Sequence, residues 1–336
     1  MSSTGKTPKS GALAADSVNY VTVDAEHAGQ RLDNYLLRLA RGVPKSHVYR
    51  IVRSGEVRVN RARASADQRV QAGDELRIPP LRVAQNEARR ANAASAPPAM
   101  PPVLFEDEGL LAVDKPAGVA AHGGSGIAFG LIERVRAARG NPVFLELAHR
   151  LDRETSGVLL LAKTRRALTR LHAAMREGEI DKRYLTLVAG RWHNDRQHVK
   201  MPLTKYVTGG GERRVSVDPE GQAAHTVFNR LERFVAAGFE FSLLEAELHT
   251  GRTHQIRVHL AHLGFPIVGD DKYGDFDLNK RIARGEFGVP LRRMFLHAHS
   301  VALVHPVTGE PLRIEAPLAR ECDDFLRAQR ALEKNR

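Results

Sequence analysis

Apolar positions along the chain fall into helix-like and strand-like stretches separated by turn-forming residues. Leu32, Tyr35, Leu36 and Leu39 recur at helical spacing. After Gly42 and Pro44, a second short helix is predicted, with Ser46 able to cap it and Val48, Ile51 and Val52 on its apolar side. EVRVN then alternates: Val57 and Val59 share one face, Glu56, Arg58 and Asn60 the other, so a short strand is predicted. AGDELRIPP continues similarly, with Gly73 and Asp74 as its turn. Farther on, VLFEDEGLLAVDKP predicts two strands joined by a turn at Glu106 to Gly109, and VLLLA at 158–162 a buried strand. TRRALTRLHAAMREG predicts a helix capped by Thr164, with Leu168, Leu171 and Met175 on one face and Gly178 as its stop. RYLTLVAG, FEFSLLEAEL and FLHAHSVALVHP read as strands. RTHQIRVHLAHLG reads as a helix with Ile256, Leu260 and Leu263 inside and Gly264 ending it. Long β-segments with irregularly inserted helices predict an α+β fold rather than a repeated βαβ order.

Four stretches separate on this pattern: a polar tail over 1–20, a small domain over 21–80, a linker over 81–101 rich in Ala, Pro and polar groups, and a large domain over 102–330. With 336 residues, 42% of them hydrophobic, the chain can build a sizeable core. The tail lacks the apolar segment of a secretory leader, and no run approaches the roughly 18 apolar residues of a membrane span. Cys322 is the only cysteine, so an internal disulfide and a Cys-based metal site are both excluded. A cytoplasmic location fits.

Charge narrows the partner. The formal net charge is +12 with a pI of about 10.1, which points to a polyanion. Residues 1–100 hold 16 Lys and Arg against 9 Asp and Glu, a net of +7. Arg38, Arg41, Lys45, Arg50, Arg53, Arg58, Arg61 and Arg63 face a single acid, Glu56, in the stretch from 38 to 63. Such density can neutralise several phosphates at once; the bland alternative is a solvated helix face. RLDNYL, PKS, GEVRVN and AGDELRIP, over residues 29–80, resemble the S-four-type RNA-binding domain.

Three segments could carry chemistry. In HRLDRETSG (149–157), Asp152 stands between Arg150 and Arg153 just before the buried strand. Those arginines would keep it ionised, and Thr155, Ser156 and Gly157 permit a tight turn that exposes it. A structural ion pair is the alternative. GRTHQIRVHL (251–260) places Arg252, His254, Arg257 and His259 around one short helix, without an H-E-x-x-H pattern, so phosphate contact is favoured over metal ligation. DKPAGVAAHGGSG (114–126) is a Gly-rich loop that matches neither nucleotide-binding pattern. Tyr184 in KRYLTLV says little by itself.

Together HRLDRETSG, KRYLTLV, TGRTHQIRVHLAHLGFPIVGDDKYG and DKPAGVAAHGG resemble the pseudouridine synthases that modify large-subunit ribosomal RNA. The resemblance implies a small α+β RNA-binding domain followed by a catalytic domain built on a mixed, mainly antiparallel β-sheet with flanking helices. It implies isomerisation of uridine to pseudouridine in large-subunit ribosomal RNA by a monomer, without cofactor or metal. It places the catalytic aspartate at Asp152, the base-stacking tyrosine at Tyr184 and the paired arginine at Arg257. Arg150, Lys115, His122, Arg252, His254 and Gln255 are candidate substrate contacts, and apolar residues of GRTHQIR and VALVHP would wall the pocket. A non-catalytic RNA-binding protein is the main rival.

Overall fold

The computed structural model describes residues 17–40, 43, 45–81, 100–123 and 130–334, with the side chains at 45, 46 and 332–334 outside that description. Arg41, the side chains of Lys45 and Ser46, residues 1–16 of the expected tail and residues 82–99 of the expected linker therefore lie outside the described residues. The chain divides into two compact units, Met1–Ala96 and Pro97–Arg336.

In the first unit, β1 (Asn19–Thr22), α1 (Leu32–Leu39), α2 (Lys45–Arg53), β2 (Arg58–Val59), β3 (Ala62–Arg63) and β4 (Glu75–Ile78) follow one another. The sheet runs β1-β4-β2-β3. Leu32 and Leu36 of α1, Val48 and Ile51 of α2, and Leu76 and Ile78 of β4 share one core. The strand expected over EVRVN shrinks to two residues. Asn60 and Arg61 take left-handed backbone angles (φ 49° and 68°) and fold the chain straight back into β3, which carries no apolar alternation to announce it.

The second unit is built on a ten-stranded sheet. Its strands are β5 (Val103–Glu106), β6 (Leu110–Lys115), β7 (Glu146–Leu147), β8 (Ser156–Ala162), β9 (Asp181–Ala189), β10 (Arg196–Lys200), β13 (His225–Ala236), β14 (Phe239–Leu248), β15 (Leu296–Val304) and β16 (Pro311–Glu315). The order is β10-β13-β14-β9-β15-β8-β6-β5, with β16 on β15 and β7 on β8. Only the β15–β8 pair is parallel among these ladders. A separate hairpin, β11 (Leu203–Val207) with β12 (Arg213–Val217), projects between β10 and β13 in sequence. Helices are α3 (Leu131–Ala138), α4 (Arg165–Glu177), α5 (Gln255–His262), α6 (Phe276–Ala283) and α7 (Arg320–Lys334). The fold is α+β, as the pattern predicts.

β8 is buried at every residue because cores lie on both of its faces. Leu159 and Leu161 join one, with Val113, Trp192 and Phe228; Val158, Leu160 and Ala162 join the other, with Leu168 and Leu171 of α4. That explains the unbroken apolar run VLLLA. α4 begins at Thr164, whose hydroxyl accepts from the Ala167 N–H, and ends at Gly178 with φ 76°. The expected helix over RTHQIRVHLAHLG starts only at Gln255. Arg252 to His254 belong to the loop before it, and its residues Gln255 to Leu260 are buried all round.

Gly157 closes the fold around the candidate aspartate. It pairs with Lys115 on β6 and with Ala298 on β15, at φ +107°. A Cβ there would fall 2.2 Å from the Ala298 carbonyl oxygen. Gly157→Ala is expected to destabilise the chain by about 3 kcal/mol or more. Urea unfolding checks this; a midpoint within error of the wild type would show that β15 can move aside.

Candidate active site

Asp152 lies in the turn that leads from β7 into β8, its carbonyl accepting from the Thr155 N–H at 3.2 Å. Thr155 and Ser156 are themselves buried, so the turn that presents the carboxylate spans Asp152 to Thr155 rather than the expected Thr-Ser-Gly. Lys115, fully buried at the end of β6, holds this turn from beneath. Its Nζ donates to the carbonyls of Pro116 (2.9 Å), Val119 (2.8 Å) and Arg153 (3.0 Å). Burial pushes Lys115 down to about 7, yet three carbonyl acceptors match the three N–H groups of an ammonium, which favours the charged form. Arg150 and Arg153 do not hold the carboxylate as expected. Both are exposed, and Arg153 is taken by Glu154 at 2.7 Å instead.

The cation at Asp152 is Arg257, on the buried first turn of α5. Its Nη1 lies 3.5 Å from Asp152 Oδ2. The bidentate edge of its fork points elsewhere: Nε and Nη2 each donate to Asp270 at 2.7 Å, and Nη2 also reaches Asp271 at 3.2 Å. Burial opposes the charge on Arg257, but the hydrogen bonds and charge of Asp270, with Asp152 and Asp271, raise its pKa above the ordinary value. Burial likewise opposes ionisation of Asp270, and Arg257 overcomes it, holding Asp270 below the usual carboxylate range. The backbone N–H groups of Lys272 and Tyr273 also donate to Asp270, at 2.8 and 3.0 Å.

His254 completes the setting. It precedes α5 in a left-handed conformation (φ 54°) that swings its ring toward Asp152, with Nε2 3.9 Å from Oδ2. Its Nδ1 is 2.9 Å from the Tyr273 hydroxyl, which already accepts from the Val215 N–H at 3.0 Å. The hydroxyl hydrogen is therefore free to go to Nδ1, which leaves Nε2–H facing Asp152. Burial lowers the His254 pKa, while Asp152 pulls the other way, so the ring is neutral near pH 7.

Tyr184 sits on β9 between small cross-strand partners, Ala246 and Ala298. Its ring is buried in the core cluster yet lines the same cleft as Asp152. Burial, and then the charge of Asp152, push its phenol well above the ordinary value, so the phenolate is not populated at neutral pH.

The cleft has a volume of about 1590 Å³, and a recess of about 390 Å³ past Asp152 shares its walls. Nine Lys and Arg line the cleft against three acids, Asp152 among them. Arg150, His122, Arg252 and His254 are all on its walls. Lys115 and Gln255 are not. The Gln255 amide is spent internally, its Oε1 accepting from Thr250 Oγ1 (2.7 Å) and the Arg252 N–H (3.0 Å), its Nε2 donating to the His225 carbonyl (3.0 Å). Lys115 and Gln255 thus shape the walls without facing the cavity. The apolar wall comes from Ile132, Leu147, Met175, Val207, Val215 and Leu248, not from Ile256 of GRTHQIR or from VALVHP, whose Val301 and Leu303, like Ile256, pack in the core. Among the described residues no cluster of three or more His, Cys, Asp or Glu has the arrangement of a metal site.

Comparison with known proteins now decides the family. A model described as RNA pseudouridylate synthase matches residues 109–262, and one described as S4 domain matches residues 30–76. The chain is 47% identical over 322 residues to ribosomal large subunit pseudouridine synthase C of Escherichia coli O157:H7, covering 95% of this chain and 97% of that one. It is 47% identical over 318 residues to the protein of that name from Pasteurella multocida, covering 94% of each. The chain belongs to the RNA pseudouridylate synthase family. Two solved structures share its fold: human RNA pseudouridylate synthase domain containing 1 (TM-score 0.54, 23% identity, 70% of this chain and 97% of that one) and human RNA pseudouridylate synthase domain containing 4 (TM-score 0.53, 24% identity, 68% and 92%).

In this pseudouridylate synthase the S4 region carries the predicted basic cluster. Arg50, Arg53, Arg61 and Arg63 are exposed; Arg38 and Arg58 are partly covered. Arg63 donates to the Arg53 carbonyl at 2.6 Å, which joins the end of α2 to the β2–β3 hairpin. The sequence reading gave no role to Asp270 and Tyr273, although both stand in the quoted GDDKYG. An acid pair in a motif shared with a buried arginine was the available signal. Lys205, Arg213 and Arg214, cleft-lining cations on the β11–β12 hairpin, carried no signal at all.

Because Asp270 is held below the ordinary carboxylate range, the stability it contributes is full above about pH 4 and is lost as pH falls through the lowered value. Asp270→Asn is expected to cost about 3–5 kcal/mol at pH 7 by leaving Arg257 buried without its partner. The deficit should shrink in urea unfolding at about pH 3. A deficit independent of pH would mean that the ionised pair is not what stabilises α5.

Proposed function

We propose that this chain converts uridine to pseudouridine in large-subunit ribosomal RNA, the class of RNA named in its relatives' titles, with Asp152 as the reacting carboxylate. The observation that carries the assignment of roles is that Asp152 shares one cation-lined cleft with Tyr184 and lies 3.5 Å from Arg257 in the adjoining recess. We read residues 21–80 as an RNA-gripping domain, 81–101 as a linker and 102–330 as the catalytic domain, working as a cytoplasmic monomer.

The reaction breaks the bond between ribose carbon 1′ and base nitrogen 1, turns the base and joins carbon 5 to carbon 1′. Carbon 5 then loses a proton and nitrogen 1 gains one. No electrons are gained or lost, so the chemistry calls for no redox cofactor. The target base must leave its stack, at a cost of about a few kcal/mol, and stacking on Tyr184 offsets part of that. The cation-lined walls attract the RNA backbone. Arg257 and the Nε2–H of His254 face the carboxylate of Asp152, which either attacks carbon 1′ or removes the 2′ proton.

Asp152→Asn keeps the shape and removes the charge. Pseudouridine formation on a large-subunit rRNA transcript is expected to fall about a thousandfold or more, with RNA affinity within about threefold of wild type. Turnover near the normal rate would remove Asp152 from the mechanism and sink the assignment. Tyr184→Phe keeps the ring and removes the hydroxyl, which as a neutral phenol can take up the carbon 5 proton only by passing on its own. This variant should bind RNA normally and finish turnover about a hundredfold more slowly, read by single-turnover assays. Normal turnover would leave Tyr184 with stacking alone.

A further inference from the structure

Three imidazoles lie face to face on the polar side of the sheet. His198 stands on the edge strand β10, His225 on β13 and His249 just past the end of β14. The His225 and His249 ring centroids are 4.4 Å apart with 12° between the planes; those of His198 and His225 are 5.4 Å apart at 24°. The backbone sets this spacing. The His249 N–H donates to the His225 carbonyl at 3.2 Å, and the His225 N–H donates to Thr250 Oγ1 at 2.9 Å. Adjacent strands lie about 4.8 Å apart, close to the separation of stacked rings, so the sheet itself keeps the imidazoles parallel.

The surroundings suit an RNA strand. Lys200 is the exposed cross-strand partner of His225. Arg252 donates through Nε to the carbonyl of Ala223, two residues before His225, at 3.1 Å. Glu247 lies 3.8 Å from His249 Nε2, but its carboxylate is already engaged by Arg183 at 2.8 Å and by Arg196. His249 is 50% exposed and lines the cleft that holds Asp152 and Tyr184. Among the described residues its only stacked ring is His225. Tyr184 lines that same cleft, so a nucleotide next to a flipped uridine can reach His249. None of the chemistry assigned to Asp152, Arg257 or Tyr184 uses these rings.

We propose that the His198–His225–His249 stack is a platform on which a nucleobase flanking the target uridine lies against the outer face of His249. The inference rests on the reading that RNA enters this cleft, and it adds a subsite to it. Bases stack on histidine as on other aromatic rings. A ring already backed by two others is ordered before the base arrives, so little freedom is lost on contact. Because every base has a π-face, the site is expected to tolerate sequence. Lys200 and Arg252 can meet the adjoining phosphates.

The test uses the full chain with two labelled probes of equal length and charge, an oligoadenylate and an abasic ribose-phosphate chain. His249→Ala should weaken oligoadenylate binding about five- to hundredfold and abasic-chain binding less than about twofold. His249→Phe, which keeps a flat ring, should bind oligoadenylate within about threefold of wild type. Equal weakening on both probes, no weakening on either, or a His249→Phe variant as weak as His249→Ala would each overturn the platform. Pseudouridine formation by the wild-type chain on an rRNA transcript is read in parallel. Its absence would overturn the proposed function and leave the stacking result standing, so the two failures are distinguishable.

Discussion

A guanidinium only 3% exposed cannot stay charged without carboxylates around it, and Arg257 has three. Its fork closes on Asp270, whose own side chain is fully buried, and the pair is neutral as a unit. Much of the active site follows from satisfying that pair. Asp270 also accepts from two backbone N–H groups, which fixes the GDDKYG loop. Asn279 of α6 donates to the Asp270 carbonyl at 3.0 Å and accepts from the Gly269 N–H at 2.7 Å, tying that loop to a second helix. Tyr273 is thereby placed where its ring lies under Arg257, 5.2 Å from ring centroid to guanidinium carbon, and its hydroxyl meets His254. Asp152 receives what is left of Arg257, a single Nη1 at 3.5 Å. A carboxylate gripped by both prongs would be held more tightly and would be a weaker base and nucleophile. The Asp270 pairing leaves Asp152 loosely held, which suits the reacting role proposed for it.

The other constraint is the sheet. β8 is sandwiched between two cores and cannot shift, and Gly157 lets it run against β15 with no room for a Cβ. The turn before it is tied down by Lys115, whose Nζ joins the Arg153 carbonyl to those of Pro116 and Val119 in the loop after β6. Asp152 is therefore partly exposed on a fixed base rather than on a free loop. Around it, cations outnumber acids on the cleft walls, a balance that favours a polyanion there.

Local pattern in the sequence makes much of this legible. The helix over Arg165–Glu177 carries its own start and stop in Thr164 and Gly178, and VLLLA announces burial on both sides. The resemblance carried by HRLDRETSG, KRYLTLV and GRTHQIR points to Asp152, Tyr184 and Arg257, and the fold brings Asp152 to 3.5 Å from Arg257 and into one cleft with Tyr184. Other features resisted reading. β3 is two residues long, and the hairpin of β11 and β12 carries its cations in ordinary-looking polar sequence. The arginines adjacent to Asp152 in the chain are not its partners, because both are exposed and Arg153 is taken by Glu154, while Arg257 arrives from a distant helix.

The sequence by itself determined the elements whose signals are local, namely periodicity, caps, turn residues and charge density, and through its motifs the family. Tertiary structure alone decided the pairings among residues distant along the chain: Arg257 with Asp270 ahead of Asp152, Lys115 with Arg153, and three histidines from three strands in one stack. The physical reason is that hydrogen bonds and ring contacts act over a few ångströms of space. Which side chains come that close is fixed by strand order and register, and these emerge only when the whole sheet is assembled.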